Sequence, residues 1–597
     1  MPLTAAQRFS ALLTGDIDVL IRNTTWTQGR DAAVDFGPTT FYDGQKLMGK
    51  TPVFGADSVL ADIDGTKVCV VIGSTGADNI ANAAAAASLT PTFVPVANEA
   101  EATAQLLAGT CDLYTTDESS LVSARFNALG SGGENLVIFP GTPISKEPLG
   151  PVYRGGDSTW ADIIDWVVYA MIIADEKGIT SANIGETWDN DVQSTALFGG
   201  AGERQTAMHL DADAFREVIT QVGNYNEVFE ANLTPVGFAR AGTLNARYGV
   251  DGGLLFAPPA GGSVPAGLAP AAAPTVSTLA AVKARGELRC GVNGGLAGFS
   301  IVNGAGASGF DVALCRAVAT AVLGDATLVD YVPLTSAERF NALAHGDIDV
   351  LIRNTTRTQG RESAFDFAPT TFYDGQKLLG RASAYSAPST FADIGNATVC
   401  VVNGSTGADN VVNVAAAAGV TITVVKVASE TEAGTKLLDA SCDLFTTDES
   451  GLMSLRASLA AGGGPELVIF PYIAFSKEPL GPVYRANDSA WGDVINWTVY
   501  AMFMADKKGI TAGNIGDSWD TDAESTALFG GTNERQTAMG LAADAFRKVI
   551  AAVGNYGEVF EANLKPLGFS RTSSANARYG AEGGLIFSPP AGGSVPQ

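Results

Sequence analysis

Three short runs, each written twice in the chain, carry the side chains best suited to chemistry on a small charged molecule. The run RNTTxTQGR supplies Asn23, Thr25 and Arg30, then again Asn354, Thr356 and Arg361. Arginine presents a planar fork that meets a carboxylate through two parallel hydrogen bonds. GST at Gly73–Thr75 and Gly404–Thr406 follows an apolar β-rich run and precedes a helix start, ADN. Ser74, Thr75, Ser405 and Thr406, with their backbone N–H groups, could receive the same carboxylate at a helix N-terminus. TTDES places Asp117 and Asp448 at strand ends, as acceptors for an ammonium. Each group also has an ordinary explanation. An arginine after a strand commonly makes a surface ion pair, and an aspartate before Glu-Ser is a common N-cap.

These runs belong to a larger duplication: Pro2 to Pro265 matches Pro333 to Pro596 at a constant shift of 331 residues. A repeat of this length is a folding body rather than a solenoid motif. Chemistry performed by both bodies must use residues that both keep. The chain has two histidines, His209 and His345, whose counterparts are Gly540 and Thr14, so neither body depends on one. Mechanisms built on Ser-His-Asp or Cys-His, and histidine metal sites, are thereby disfavoured. GSTGADN lacks the lysine of a phosphate loop, and no spacing singles out a glycosidase carboxylate pair. Nothing points to a cofactor or a metal.

The elements that must position these groups read as α/β. Short β-branched runs such as IDVLI and VCVVI alternate with alanine-rich helical segments, which predicts parallel sheets with crossover helices. With 597 residues, 46% of them hydrophobic, the chain has core enough for three or four globular units. Its net charge of −26 argues against nucleic acid and against anionic membrane surfaces. No apolar run reaches the roughly 18 residues that span a bilayer. DIIDWVVYAMIIADEKG and DVINWTVYAMFMADKKG contain carboxylates and read as half-buried helices.

Six cysteines fall into even sets: Cys69 and Cys111 match Cys400 and Cys442, while Cys290 and Cys315 have no counterparts. Disulfides within each body, in an oxidising compartment, are the favoured reading. Buried free thiols in a cytosolic protein are the alternative. Ala260–Thr278, rich in Ala, Pro and Gly and uncharged, reads as a tether between a first body at 1–259 and a second at 279–597. Residues from about 275 to 332 precede the second copy, and nothing in the chain precedes the first in the same way. Met1 stands where the second copy has Val332, so an internal start or a truncation is expected.

In order along the chain, LRCGVNGGLAGFS, RNTTxT, YDGQ, CV…GST, TTD, SKEPLGPVYR and GGLxFxPP resemble the periplasmic amino-acid-binding proteins of ABC importers, especially the general L-amino acid branch. The resemblance implies two tandem type II bodies of periplasmic-binding-protein fold, each bilobal. In each, crossover strands near FYDGQKL and SKEPLGPVYR would join a discontinuous lobe to an inserted one, at about 50–143 and 381–474. It implies that Arg30 and Arg361 take a ligand α-carboxylate, assisted by Asn23, Thr25, Asn354 and Thr356. Ser74, Thr75, Ser405 and Thr406 would complete that site, with Asp117 and Asp448 on the α-ammonium. Asn293, Leu296 and Phe299 would contribute side-chain recognition, which the first body lacks. Trp26 is replaced by Arg357 in the second copy, either at the cleft or toward solvent.

The function so implied is an extracytoplasmic binding protein that hands an L-amino acid to an ABC permease, without inserting into the membrane itself. Two other classes remain. A dehydratase-like enzyme on this fold would need a general acid or base in the cleft, and no shared histidine is available. A sensory or structural binding module is the other.

Overall fold

The computed structural model describes residues 1–185, 192–200, 202–249, 252–260, 276–516, 523–531, 534–580 and 582–591. Most of the tether and the C-terminal residues 592–597 lie outside the described residues.

The chain forms two α/β bodies. In the second body, one lobe has a five-stranded sheet ordered Val329–Pro333, Leu288–Val292, Val350–Leu351, Val483–Arg485 and Phe365–Phe367. The other lobe's sheet is ordered Thr423–Val427, Thr398–Val402, Leu444–Asp448, Gln376–Arg381 and Leu467–Phe470. Between the lobes a two-stranded ribbon pairs Phe372–Asp374 with Glu478–Leu480.

The sheets are mixed, not parallel as the strand–helix alternation predicts. Gln376–Arg381 runs against both of its neighbours, and so does Val483–Arg485. The cause lies in the crossover. Each of these strands continues directly from the ribbon and enters its sheet from the hinge side, opposite to the strands fed by helices.

The first body repeats the inserted lobe strand for strand, but its other lobe is reduced to Asp35–Phe36 paired with Val152–Tyr153. The IDVLI run, expected to be a strand in both copies, contributes only an isolated bridge from Leu20 to Val152 there. In the second body the same run pairs in parallel with Cys290 and Gly291. Lacking that neighbour, Ile21 is 77% exposed, whereas its counterpart Ile352 is 2% exposed.

All six cysteines are paired, Cys69–Cys111, Cys290–Cys315 and Cys400–Cys442, with Cα–Cα separations of 5.8, 6.1 and 5.8 Å. The first and last of these lie beneath the strands that end in Asp117 and Asp448. No described helix is long and apolar enough to cross a membrane. Of the two long helices, Ser158–Lys177 is half-buried as expected, whereas Ser489–Lys508 is buried over most of its length. Trp166 and Trp497, one on each, are fully buried where the two bodies meet.

Candidate ligand-binding site

Arg361 sits in the single helical turn Gln359–Glu362, whose first free N–H groups are capped by the Thr358 side chain. Its guanidinium donates to Thr356 O at 2.8 Å and lies over the Phe340 ring at 5.4 Å. The residue is 4% exposed and makes no ion pair among the described residues, which removes the surface-pair reading. Burial lowers its pKa to about 10, so desolvation penalises its charge.

Asp448 stands at the N-cap of helix Glu449–Ala461, yet its side chain makes no cap hydrogen bond. Asp374 serves that helix end instead, accepting from Ser450 N at 3.2 Å. Burial, with Glu478 and Asp374 nearby, pushes the Asp448 carboxyl well above the carboxylate range. The N-cap explanation thus fails on geometry, and a ligand cation beside Asp448 would favour its ionised form.

These two groups share a cavity between the lobes with Asn293, Leu296, Asn354, Thr356, Ser405 and Thr406. The lobes are closed on it. Asn354 Nδ2 donates across the cleft to Ser450 Oγ at 3.4 Å, and Ala297 N donates to Ser454 Oγ at 2.9 Å. Asn354 has φ +31°, a sparsely populated backbone region, and its buried Oδ1 has no partner. Phe299 does not reach the cavity. It packs in the aromatic core against Phe310 and Phe372, at 6.0 and 5.4 Å.

The first body repeats the arrangement. Arg30 Nη1 donates to Thr25 O at 2.9 Å, Asn23 Nδ2 to Ser119 Oγ at 3.1 Å, and Asp117 is again an N-cap residue without a cap bond. Ser74, like Ser405, donates its hydroxyl to a backbone carbonyl of the preceding strand at 2.8 Å. The chain supplies this body with no counterparts of Asn293 and Leu296.

A family described as bacterial extracellular solute-binding proteins, family 3, matches residues 288–511. The chain is 42% identical over 337 residues to the glutamate/glutamine/aspartate/asparagine-binding protein of Rhodobacter capsulatus, a match spanning 55% of this chain and 97% of that protein. The chain belongs to this family. The general L-amino acid-binding periplasmic protein of Rhizobium johnstonii is 40% identical over 329 residues, 54% of this chain and 94% of that one. A solved ABC transporter/periplasmic binding protein from Brucella ovis, with glutathione bound, is 37% identical. That match has a TM-score of 0.48 and covers 53% of this chain and 99% of that chain.

Within this family 3 framework, sequence reasoning missed three groups. The first is Glu478 of SKEPLGP, 1% exposed. It accepts from Thr356 Oγ1 at 2.5 Å, Thr406 Oγ1 at 3.1 Å, Asn410 Nδ2 at 2.8 Å and Ser476 Oγ at 2.6 Å. Glu147 does the same with Thr25, Thr75, Asn79 and Ser145. This changes the role of the four threonines. Each hydroxyl has one proton, already given to a glutamate, so the threonines tie the lobes to the hinge rather than donate to a ligand carboxylate.

The second and third are Arg339 and Arg353, which also line the cavity. Arg353 is anchored to Leu334 O and Ser336 Oγ at 2.7 and 3.0 Å. Arg339 is 2% exposed, and its Nε is buried without a partner. Both recur in the first body, as Arg8 and Arg22, and that repetition is the signal that could have found them.

Gly404 has φ +79°, and a Cβ there would lie 3.0 Å from Ala337 Cα and Ser336 O on the opposing lobe. Gly404→Ala combines left-handed strain with a clash across the cleft, costing the closed form about 1–3 kcal/mol. We expect small-angle scattering of this variant to show an increased radius of gyration. An unchanged radius would mean that this contact does not set closure.

Proposed function

We propose that the second body captures an L-amino acid bearing a second carboxylate and presents it, outside the cytoplasm, to the permease of an ABC importer. Arg361 takes the α-carboxylate. Asp448 and the unpaired Asn354 Oδ1 take the α-ammonium, and Arg339 takes the distal carboxylate. The observation that carries this reading is that a guanidinium without an ion pair and an aspartate without a cap bond line one closed cavity. Such groups are costly to bury unless a partner of opposite charge arrives.

The choice of an acidic ligand rests on the charges that line the cavity: Arg339, Arg353 and Arg361 against Glu430 and Asp448. In the first body the equivalent of Arg353 pairs with the equivalent of Glu430, Arg22 with Glu99 at 3.0 Å. That leaves Arg361 opposite Asp448, a complement to the zwitterionic backbone, with Arg339 in excess. Relatives named for glutamate, glutamine, aspartate and asparagine binding and for general L-amino acid binding support an L-amino acid as the ligand. Three disulfides fit an oxidising compartment. A dehydratase reading has less support, since the groups both bodies share hold charge rather than move protons.

Calorimetry on the full chain tests the ligand class. With L-glutamate, Arg339→Met is expected to weaken binding by about 10- to 100-fold, since a charge-assisted hydrogen bond is worth about 1.5–3 kcal/mol. With L-glutamine the loss should be severalfold at most. Equal losses for both ligands would remove Arg339 from side-chain recognition.

A further inference from the structure

Contacts between the two bodies come in pairs related by the 331-residue shift. Trp166 donates from Nε1 to Glu362 Oε2 at 3.0 Å, and its counterpart Trp497 donates to Asp31 Oδ2 at 2.7 Å. Ser158 Oγ donates to Asp366 at 2.7 Å, and Ser489 Oγ to Asp35 at 2.8 Å. Tyr42 meets Phe587 edge-on at 5.4 Å, and Tyr373 meets Phe256 at 5.3 Å. Reciprocity of this kind defines an isologous interface, here formed within one chain.

The halves are matched to each other rather than identical. Arg357, expected at the cleft or in solvent, lies at neither. It points into the interface, bonded to Glu362 at 2.5 Å, 3.8 Å from Asp165 of the first body and over the Tyr169 ring at 5.4 Å. Its counterpart Trp26 meets Tyr500 edge-on at 5.9 Å. The counterpart of Asp165 is Asn496, so the Arg357–Asp165 charge pair exists only when a first body faces a second.

The acceptors of the two tryptophan N–H groups are the last residues of the two arginine turns. Glu362 closes Gln359–Glu362, which carries Arg361, and Asp31 closes Gln28–Asp31, which carries Arg30. The first residue of each turn is held from the other body as well. Gln359 N donates to Pro259 O at 3.4 Å, and Gln28 N to Pro590 O at 3.2 Å. An isolated helical turn of four residues does not hold its own geometry in water. Its shape comes from the Thr358 or Thr27 cap and from these contacts.

We propose that each body braces the arginine-bearing turn of the other, so that Trp166 and Pro259 of the first body position Arg361 of the second. The inference for affinity rests on the reading of Arg361 as the carboxylate clamp; the brace itself does not. Two readouts on the full chain separate them. Trp166→Phe keeps an aromatic ring but removes the indole N–H together with part of the ring bulk at a fully buried position. Amide hydrogen exchange at Gln359–Glu362 should quicken by at least about fivefold, the effect of one hydrogen bond, while Trp497→Phe should act at Gln28–Asp31 instead. In an Arg30→Ala background, which silences the first site, Trp166→Phe should also weaken L-glutamate binding by about fivefold. Exchange that is unaltered, or altered at the turn of the mutated tryptophan's own body, overturns the proposal. Exchange altered in the crossed pattern, with no glutamate bound by the parent protein, keeps the brace and defeats the amino-acid reading.

Discussion

Arg361→Ala, made in the full chain with the first site silenced by Arg30→Ala, is expected to abolish amino-acid binding by the second body. The loss should be at least about a hundredfold, because a bidentate guanidinium–carboxylate pair in a dry site is worth about 3–5 kcal/mol. The guanidinium is 4% exposed and carries no ion pair among the described residues, so its charge is available to a ligand carboxylate. Arg361→Lys retains the charge but not the fork, and should fall between. The same site predicts an opposite effect on stability. Removing a buried charge whose pKa burial lowers to about 10 relieves the empty protein, so Arg361→Ala should not lower its melting temperature. Calorimetry and a thermal melt read the two effects separately. Affinity retained within about threefold, against the hundredfold expected from the charge-assisted pair, would dismiss the clamp.

Glu478→Ala should have the largest effect on folding. The carboxylate is 1% exposed and accepts four side-chain hydrogen bonds, from Thr356 on one lobe, Thr406 and Asn410 on the other, and Ser476 beside it. Truncation takes the shared acceptor from four donors at the point where the lobes join. Unmet buried donors cost about 1–3 kcal/mol each, and with local rearrangement a loss of about 3–5 kcal/mol is expected. Glu478→Gln keeps the shape but turns an amide N–H₂ toward donors, and should lose about 1–2 kcal/mol. Urea unfolding followed by tryptophan fluorescence measures this, with the second body's transition moving and the first body's held. A variant as stable as the parent would show that the lobes do not depend on this latch.

Much of this architecture could be read before any coordinates. The gapless duplication announces two bodies, the even cysteine sets announce three disulfides, and the order of the motifs announces the bilobal fold. Arg361 and Asp448, the proposed clamp, could be singled out because their side-chain chemistry is local and both copies keep them, and the structure brings both to one cavity. What was illegible depends on long-range placement. Glu478 reads as part of a crossover strand, and only the fold brings Thr356 and Thr406 to it from opposite lobes. Arg339, opening a helix after a turn, reads as a solvated cation until the inserted lobe closes over it. Phe299 follows Leu296 by three residues, near enough in sequence to be taken for the ligand wall, yet it faces the core. Ile21 shows the converse: an apolar run in a strand pattern stays exposed when the strand meant to pair with it is missing. The change from Trp26 to Arg357 was visible, but its meaning was not, since it concerns a surface between bodies that no single copy contains.

A crystal structure of the full chain soaked with L-glutamate tests the central claim most directly. Ligand density is expected between the lobes of the second body, with the α-carboxylate on the Arg361 fork, the ammonium on Asp448 and the distal carboxylate on Arg339. Density at any other place, or a closed cleft in which the Arg361 and Asp448 side chains turn away from the bound molecule, would contradict it.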